Sequence, residues 1–163
     1  MNTETICPAG SYCPSSGSSS TTDCLAGSYC PSQGLSAGTS CLAGTWSAAK
    51  ATACLNVCPE GKWGTSRGST SQDTACPMVC PPGTWGSTTG STSQQAACPG
   101  LCPAGTYSTA SGATSTSICR QCLSGSYSAQ GVSTCTSCVN GVSFTTSPTT
   151  PCSNCQHCPA GKI

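Results

Sequence analysis

Large apolar side chains along this chain follow neither of the two periods that announce regular structure. Recurrence at i, i+3, i+4 and i+7 would indicate an amphipathic helix, and strict alternation would indicate a half-buried strand. Neither is sustained. Instead, one aromatic residue recurs at a fixed place in a series of short segments. Tyr12, Tyr29, Trp46, Trp63, Trp85, Tyr107 and Tyr127 each lie five residues after a cysteine, and Phe144 lies six after Cys138. These are all the aromatic residues in the chain: three Trp, four Tyr and one Phe. Between them run polar stretches of Ser, Thr and Gly. The pattern predicts short β-strands and turns, without helices.

The repeat unit is Cys-x-x-Gly-x-aromatic, a Ser/Thr/Gly-rich stretch, and a closing Cys. It opens at Cys7, Cys24, Cys41, Cys58, Cys80, Cys102 and Cys122, with a degenerate copy at Cys138 and a shortened one at Cys158. Glycine stands three after each opening cysteine, at Gly10, Gly27, Gly44, Gly61, Gly83, Gly105, Gly125, Gly141 and Gly161. Such a glycine suits a positive φ, which it alone adopts without steric cost. Pro8, Pro59, Pro81, Pro103 and Pro159 follow their cysteines and preset a turn. Each ring is expected to lie over its own disulfide as a miniature core. A two-stranded ribbon is marginal alone, so units must stack or be bridged.

Spacing divides the array. Residues 7–54 carry extra cysteines, Cys13 and Cys30, straight after the aromatic, and read as repeats sharing a Cys at each junction. Residues 58–119 form three regular repeats and 122–152 two shorter ones. Residues 155–163 begin a further repeat cut short.

Composition explains why cysteine organises the chain. Eighteen of the 163 residues are Cys, above the level that marks a disulfide scaffold. Large aliphatics are sparse, and about a third of the residues are Ser or Thr, a polar bias usually linked to disorder. So little apolar surface cannot form the single core of a typical domain of this length, and covalent staples must replace it. Persistent disulfides require an oxidising compartment, which places the protein outside the cell or at its surface. Met1 to Ile6 has neither the basic nor the apolar region of a signal peptide, so a processed chain or an interior segment is expected. No apolar run approaches a membrane span. Five basic and four acidic residues give a net charge of +1, and no basic stripe offers itself to nucleic acid.

Pairing cannot be deduced from sequence alone. The simplest scheme closes each long loop on itself: Cys58–Cys76, Cys80–Cys98, Cys102–Cys119, Cys122–Cys135 and Cys138–Cys152. Each loop of that size contributes about 3 kcal/mol by constraining the unfolded chain. Towards the N-terminus two schemes stand. One has Cys41–Cys54 with interleaved Cys7–Cys24 and Cys13–Cys30. The other has Cys13–Cys24 and Cys30–Cys41, with Cys7 paired upstream.

The segment Cys102-Pro-Ala-Gly-Thr-Tyr-Ser, running to Cys119-Arg-Gln-Cys122, resembles the ephrin-receptor-like cysteine-rich repeat. That repeat is related to modules of tumour-necrosis-factor receptors and growth-factor receptors. The tandem Cys7-Pro-Ala-Gly-Ser-Tyr-Cys13-Pro and Cys24-Leu-Ala-Gly-Ser-Tyr-Cys30-Pro is similar to arrays in large surface proteins of protists and algae. The resemblance covers nearly the whole chain; the extra cysteines and the shifted Phe144 depart from it. It implies small disulfide-rich repeats in an elongated β/turn ladder without a globular core.

Chemistry is sparsely represented. A catalytic triad would need His157, the only histidine, and no acid flanks it. Glu4, Asp23, Glu60 and Asp73 lie far apart and form no acid–base pair. An enzyme is not expected, nor is a cofactor. Cys152, Cys155, His157 and Cys158 have zinc-like spacing, but an oxidising compartment favours cystines there. Calcium would need an acidic cluster. Ser18, Ser19, Thr21, Thr88, Thr89, Thr145, Thr146, Thr149 and Thr150 read as O-glycan acceptors, with plain polar loops as the alternative. Long, near-identical, weakly charged repeats suit a structural extracellular rod, filament or coat component that associates with itself or with other matrix or coat proteins. The alternative is the stalk or ligand-binding ectodomain of a cell-surface receptor.

Overall fold

A computed structural model of the chain describes residues 6–15, 17, 20–123 and 126–137, together with the backbone of Ser143–Phe144 and Ser153–Asn154. The fold is a disulfide-rich series of small β/turn units. Each opens with a tight turn. The amide four residues after the cysteine donates to the carbonyl one after it, as Ser11 to Pro8, Lys62 to Pro59 and Thr106 to Pro103. The glycine at the third turn position has φ of 84° at Gly10, 71° at Gly61 and 83° at Gly105, as a type II turn requires. Proline therefore sits at the start of the turn as the acceptor. A hydroxyl four after the cysteine bonds the same carbonyl, for example Thr106 Oγ1 to Pro103 at 2.7 Å.

The turn feeds a two-residue strand ending on the aromatic, which pairs antiparallel with the residues just before the next opening cysteine. Ser11–Tyr12 pairs with Thr22–Asp23, Ser28–Tyr29 with Thr39–Ser40, and Thr45–Trp46 with Asn56–Val57. Lys62–Trp63 pairs with Met78–Val79, Thr84–Trp85 with Gly100–Leu101, and Thr106–Tyr107 with Arg120–Gln121. Ser126–Tyr127 and Thr136–Ser137 repeat the arrangement, and Ser143–Phe144 pairs antiparallel with Ser153–Asn154.

Two single-turn helices depart from the expectation of β and turns alone: α1, Gln72–Ala75, and α2, Gln94–Ala97. A 3-10 turn spans Thr116–Ile118. Ser71 caps α1: its hydroxyl accepts from the Thr74 amide while Thr74 Oγ1 accepts from the Ser71 amide at 3.1 Å, a reciprocal capping box. Ser93 caps α2 through the Ala96 amide. One turn is too short to show a 3.6-residue period, so capping was the only signal available.

The chain divides into two compact units: Met1–Val79 with Thr88–Ala97, and Cys80–Ser87 with Cys98–Ile163. Within the first, hydrogen bonds run from each repeat to the one before it. The amides of Gly34, Lys50, Gly68 and Gly90 donate to the carbonyls of Cys7, Cys24, Cys41 and Cys58 at 2.7–2.9 Å. All four donors are left-handed, with φ between 62° and 73°. They form a second glycine register, nine or ten residues after the opening cysteine. In the second unit Gly112 and Gly131 donate to Cys80 and Cys102 in the same way.

Further bonds fix the same step. Opening cysteines donate back to the turn glycine of the preceding repeat: Cys24 to Gly10, Cys41 to Gly27 and Cys58 to Gly44 in the first unit, Cys102 to Gly83 and Cys122 to Gly105 in the second. Turn glycines also approach the repeat two steps on. A Cβ on Gly10 would stand 2.6 Å from the Lys50 carbonyl oxygen, and one on Gly44 2.6 Å from that of Gly90. Glycine is required there for space as well as for φ.

Ser40, Val57 and Leu101, each just before an opening cysteine, face the left-handed glycine of the next repeat. A Cβ on Gly90 would lie 3.7 Å from Val57 Cβ, and one on Gly131 3.2 Å from Leu101 Cδ2. At the one step where the left-handed residue carries a side chain, Lys50 at φ 62°, the facing residue is Asp23 and the two form an ion pair at 3.3 Å.

Candidate functional site

The seven opening cysteines from Cys7 to Cys122 are all buried, at most 9% exposed. The structure joins Cys58 to Cys76, Cys80 to Cys98, Cys102 to Cys119, Cys122 to Cys135 and Cys41 to Cys54. Cys138 and Cys152 lie outside the described residues, as do Cys155, His157 and Cys158. Of the first N-terminal scheme only Cys41–Cys54 stands, and the second is overturned whole, because the remaining bonds are Cys7–Cys13 and Cys24–Cys30. Among the described residues, no cysteine is shared between repeats.

The reason is a single slot beside each opening sulfur, reached by the residue after the aromatic. In the Cys7 and Cys24 repeats that residue is Cys13 or Cys30, and it takes the bond. In the Cys41 repeat it is Ser47, whose Oγ lies 3.3 Å from Cys41 Sγ while donating to the Ser28 carbonyl at 2.9 Å. In the Cys58 repeat it is Gly64, and the carbonyl of Ala75 in α1 takes the space, 3.6 Å from Cys58 Sγ. A Cβ on Gly64 would collide with that carbonyl. Where the slot holds cysteine, the closing cysteine becomes redundant. Gly38 stands in its place, and a Cβ there would meet Cys24 Sγ at 2.8 Å.

Tyr12, Tyr29, Trp46, Trp63, Trp85, Tyr107 and Tyr127 are all half-buried; the side chain of Phe144 is outside the described set. The expectation that each ring covers its own disulfide needs correction at Trp46. This ring packs on Cys58, Ala75 and Cys76 of the following repeat, because the loop of each repeat folds back on the strand before it. Contacts of α1 with Thr45–Trp46 and of α2 with Lys62–Trp63 repeat this geometry. In the second unit the Trp85 indole lies across Gly100, where a Cβ would run into the ring. The indole N–H groups of Trp46, Trp63 and Trp85 are buried without an acceptor among the described residues. Each such donor costs about 1–3 kcal/mol, offset by the apolar area that the ring covers.

Polar chemistry is thin among the described residues. No group of three or more His, Cys, Asp and Glu side chains is placed to hold a metal. Asp23 accepts from Ser11 Oγ at 3.4 Å and pairs with Lys50, both at the surface. In the second unit Ser108, Thr109, Ala110, Ser117, Ile118 and Arg120 line a cavity of about 240 Å³, with Arg120 its one charged group. No family model and no curated protein matches the chain.

Around the buried cysteines the backbone alternates, so residues on either side of each point outward. Many of these are apolar and exposed: Leu25, Leu42, Val57 and Val79 in the first unit, Leu101 and Leu123 in the second. Leu55 extends the first series and is 82% exposed. Thr21, Thr88 and Thr89 are exposed; Ser18, Ser19, Thr145, Thr146, Thr149 and Thr150 are outside the described residues. The disulfide content indicates a secreted or extracellular protein. No helix among the described residues is long and apolar enough to cross a membrane.

Proposed function

We propose that this chain is a structural element of an extracellular assembly, a rod, filament or coat component built by self-association of disulfide-stapled repeats and carrying O-linked sugar on its loops. The observation that carries the reading is the interchangeability of the repeats. Step after step along the array uses the same backbone bonds, from a left-handed residue to the preceding opening cysteine, with side chains varying around them. Repetition of one contact suits polymeric assembly. The outward apolar residues beside the cysteines add contact area at regular intervals, and a net charge of +1 offers little self-repulsion. The resemblance to cysteine-rich arrays of surface proteins supports the same reading. Sedimentation of secreted material over a concentration series, with intact mass before and after removal of O-glycans, tests it. A weight-average mass rising with concentration and a mass loss on deglycosylation are expected. An unglycosylated species that stays monomeric at high concentration would overturn it.

A further inference from the structure

The choice of ring along the chain follows the length of the loop in the next repeat. Trp46, Trp63 and Trp85 precede the repeats opened by Cys58, Cys80 and Cys102, whose bonds span 18, 18 and 17 residues. Tyr29 and Tyr107 precede those opened by Cys41 and Cys122, which span 13. Tyr12 precedes the Cys24 repeat, whose bond spans 6. A rule tied to the repeat's own loop fails at two places. Trp46 belongs to a repeat of span 13, and Tyr107 to one of span 17.

Packing gives the reason. In the long-loop repeats the residue eleven after the opening cysteine is Ser69, Ser91 or Ala113, small and buried. Ser69 and Ala113 lie beside the backbone of Trp46 and Trp85, and the Ser91 carbonyl accepts from the Gly64 amide, next to Trp63. The added residues of these loops form a helical turn. In this way α1 seats Ala75 on the Trp46 ring, α2 touches Lys62–Trp63, and the 3-10 turn Thr116–Ile118 leads into Cys119. The indole N–H groups of all three rings are buried with no acceptor among the described residues, so the tip of each ring is covered. Short loops make the same backbone contact ten residues after the cysteine, through the carbonyls of Ala51 and Val132, and show no helical turn among their described residues. Among the described residues no tyrosine hydroxyl is buried without a partner. A covered tip suits indole, which has one donor to satisfy, better than a phenol, which both donates and accepts.

We infer that the aromatic residue selects the neighbour that can follow it. Trp fits a repeat whose bond spans 17 or 18 residues, with a small residue eleven after its cysteine, and Tyr fits one that spans 13 or fewer. The ring is thus the specificity determinant of the repeat-to-repeat interface, and the order of the repeats is written pairwise along the chain. Nearest-neighbour contacts carry much of the stability of a repeat array, so a mismatch weakens the step at which it falls. The rule concerns neighbours within one chain and holds whether or not chains associate.

The test compares the wild-type chain with one in which residues 64–76 are replaced by residues 128–135. The exchange gives the Cys58 repeat the short loop of the Cys122 repeat and leaves Trp63 in place. Peptide mapping with intact disulfides verifies the fold. Trp46→Tyr should lower resistance to denaturant in the wild-type background and raise it in the exchanged one. In the wild-type background the Ala75 and Cys76 amides should also exchange about tenfold faster. An equal loss in both backgrounds would overturn the inference, because the ring would then pack without regard to the loop over it. Tyr107→Trp decides independently, even if the exchanged chain does not fold. Set before the short loop of the Cys122 repeat, the added indole should emit to the red of the other three and be quenched by iodide. An indole there as shielded as Trp46 would overturn the rule as well.

Discussion

Trp46 packs against Cys58, the opening cysteine of the following repeat. The ring therefore guards a bridge to which it is not joined by the local loop. Truncation to Trp46→Ala should cost about 3 kcal/mol, the low end for a large ring because Trp46 is half-buried, and its signature should be displaced along the chain. Timed partial reduction with alkylation is expected to open Cys58–Cys76 earlier than in the wild type. Faster opening confined to Cys41–Cys54 would return the ring to its own repeat.

Gly38 and Cys30 mark alternative places for the partner of one sulfur. The double variant Cys30→Ser, Gly38→Cys should fold with Cys24 bonded to the thiol introduced at position 38. That converts the Cys24 repeat to the pattern of the Cys41 repeat. Non-reducing peptide mapping reads the result directly. A free thiol at position 38 in folded material would show that the slot does not control pairing.

Much of this was legible in the residues. The aromatic and turn-glycine registers mark each unit and its strand. The second register, from Gly34 to Gly131, is equally visible but is blurred by Lys50 and by a one-residue change in spacing. What sequence could not supply is direction. A closed-loop scheme treats each unit as self-contained, whereas hydrogen bonds and rings tie each unit to its neighbour. The role of Cys13 and Cys30 was hidden for the same reason: only the fold shows that Ser47 and Gly64 occupy the equivalent place beside an opening sulfur.

Lys50 tests the second register. A lysine in the left-handed region costs about 1 kcal/mol relative to glycine. Its ion pair with Asp23 returns less, because the two side chains are 69% and 51% exposed and such pairs are worth about 0–1 kcal/mol and are screened by salt. Lys50→Gly is expected to be nearly neutral at low ionic strength and stabilising by about 1 kcal/mol at high ionic strength. Denaturant unfolding at two salt concentrations measures it. Destabilisation at high salt would mean that Lys50 is not strained.

Gly64→Ser puts the residue of the Cys41 repeat into the Cys58 repeat. The added Cβ meets the Ala75 carbonyl, so α1 must shift, at a cost of about 1–3 kcal/mol. Hydrogen exchange should speed at the Ala75 and Cys76 amides. Unchanged protection there would show that the loop accommodates the side chain freely.

The two ways of using an opening cysteine have a mechanical consequence. A bond spanning 13 to 18 residues, as from Cys41–Cys54 through Cys122–Cys135, locks its whole loop against stretching. Pulled from its ends, that stretch can lengthen only at the short joints between loops. The six-residue bonds of Cys7–Cys13 and Cys24–Cys30 leave about ten residues in each repeat outside any covalent loop, able to extend by up to about 35 Å. Under load the repeats opened by Cys7 and Cys24 yield before those opened by Cys41 to Cys122, and the choice of which residue meets the opening sulfur sets where the chain gives.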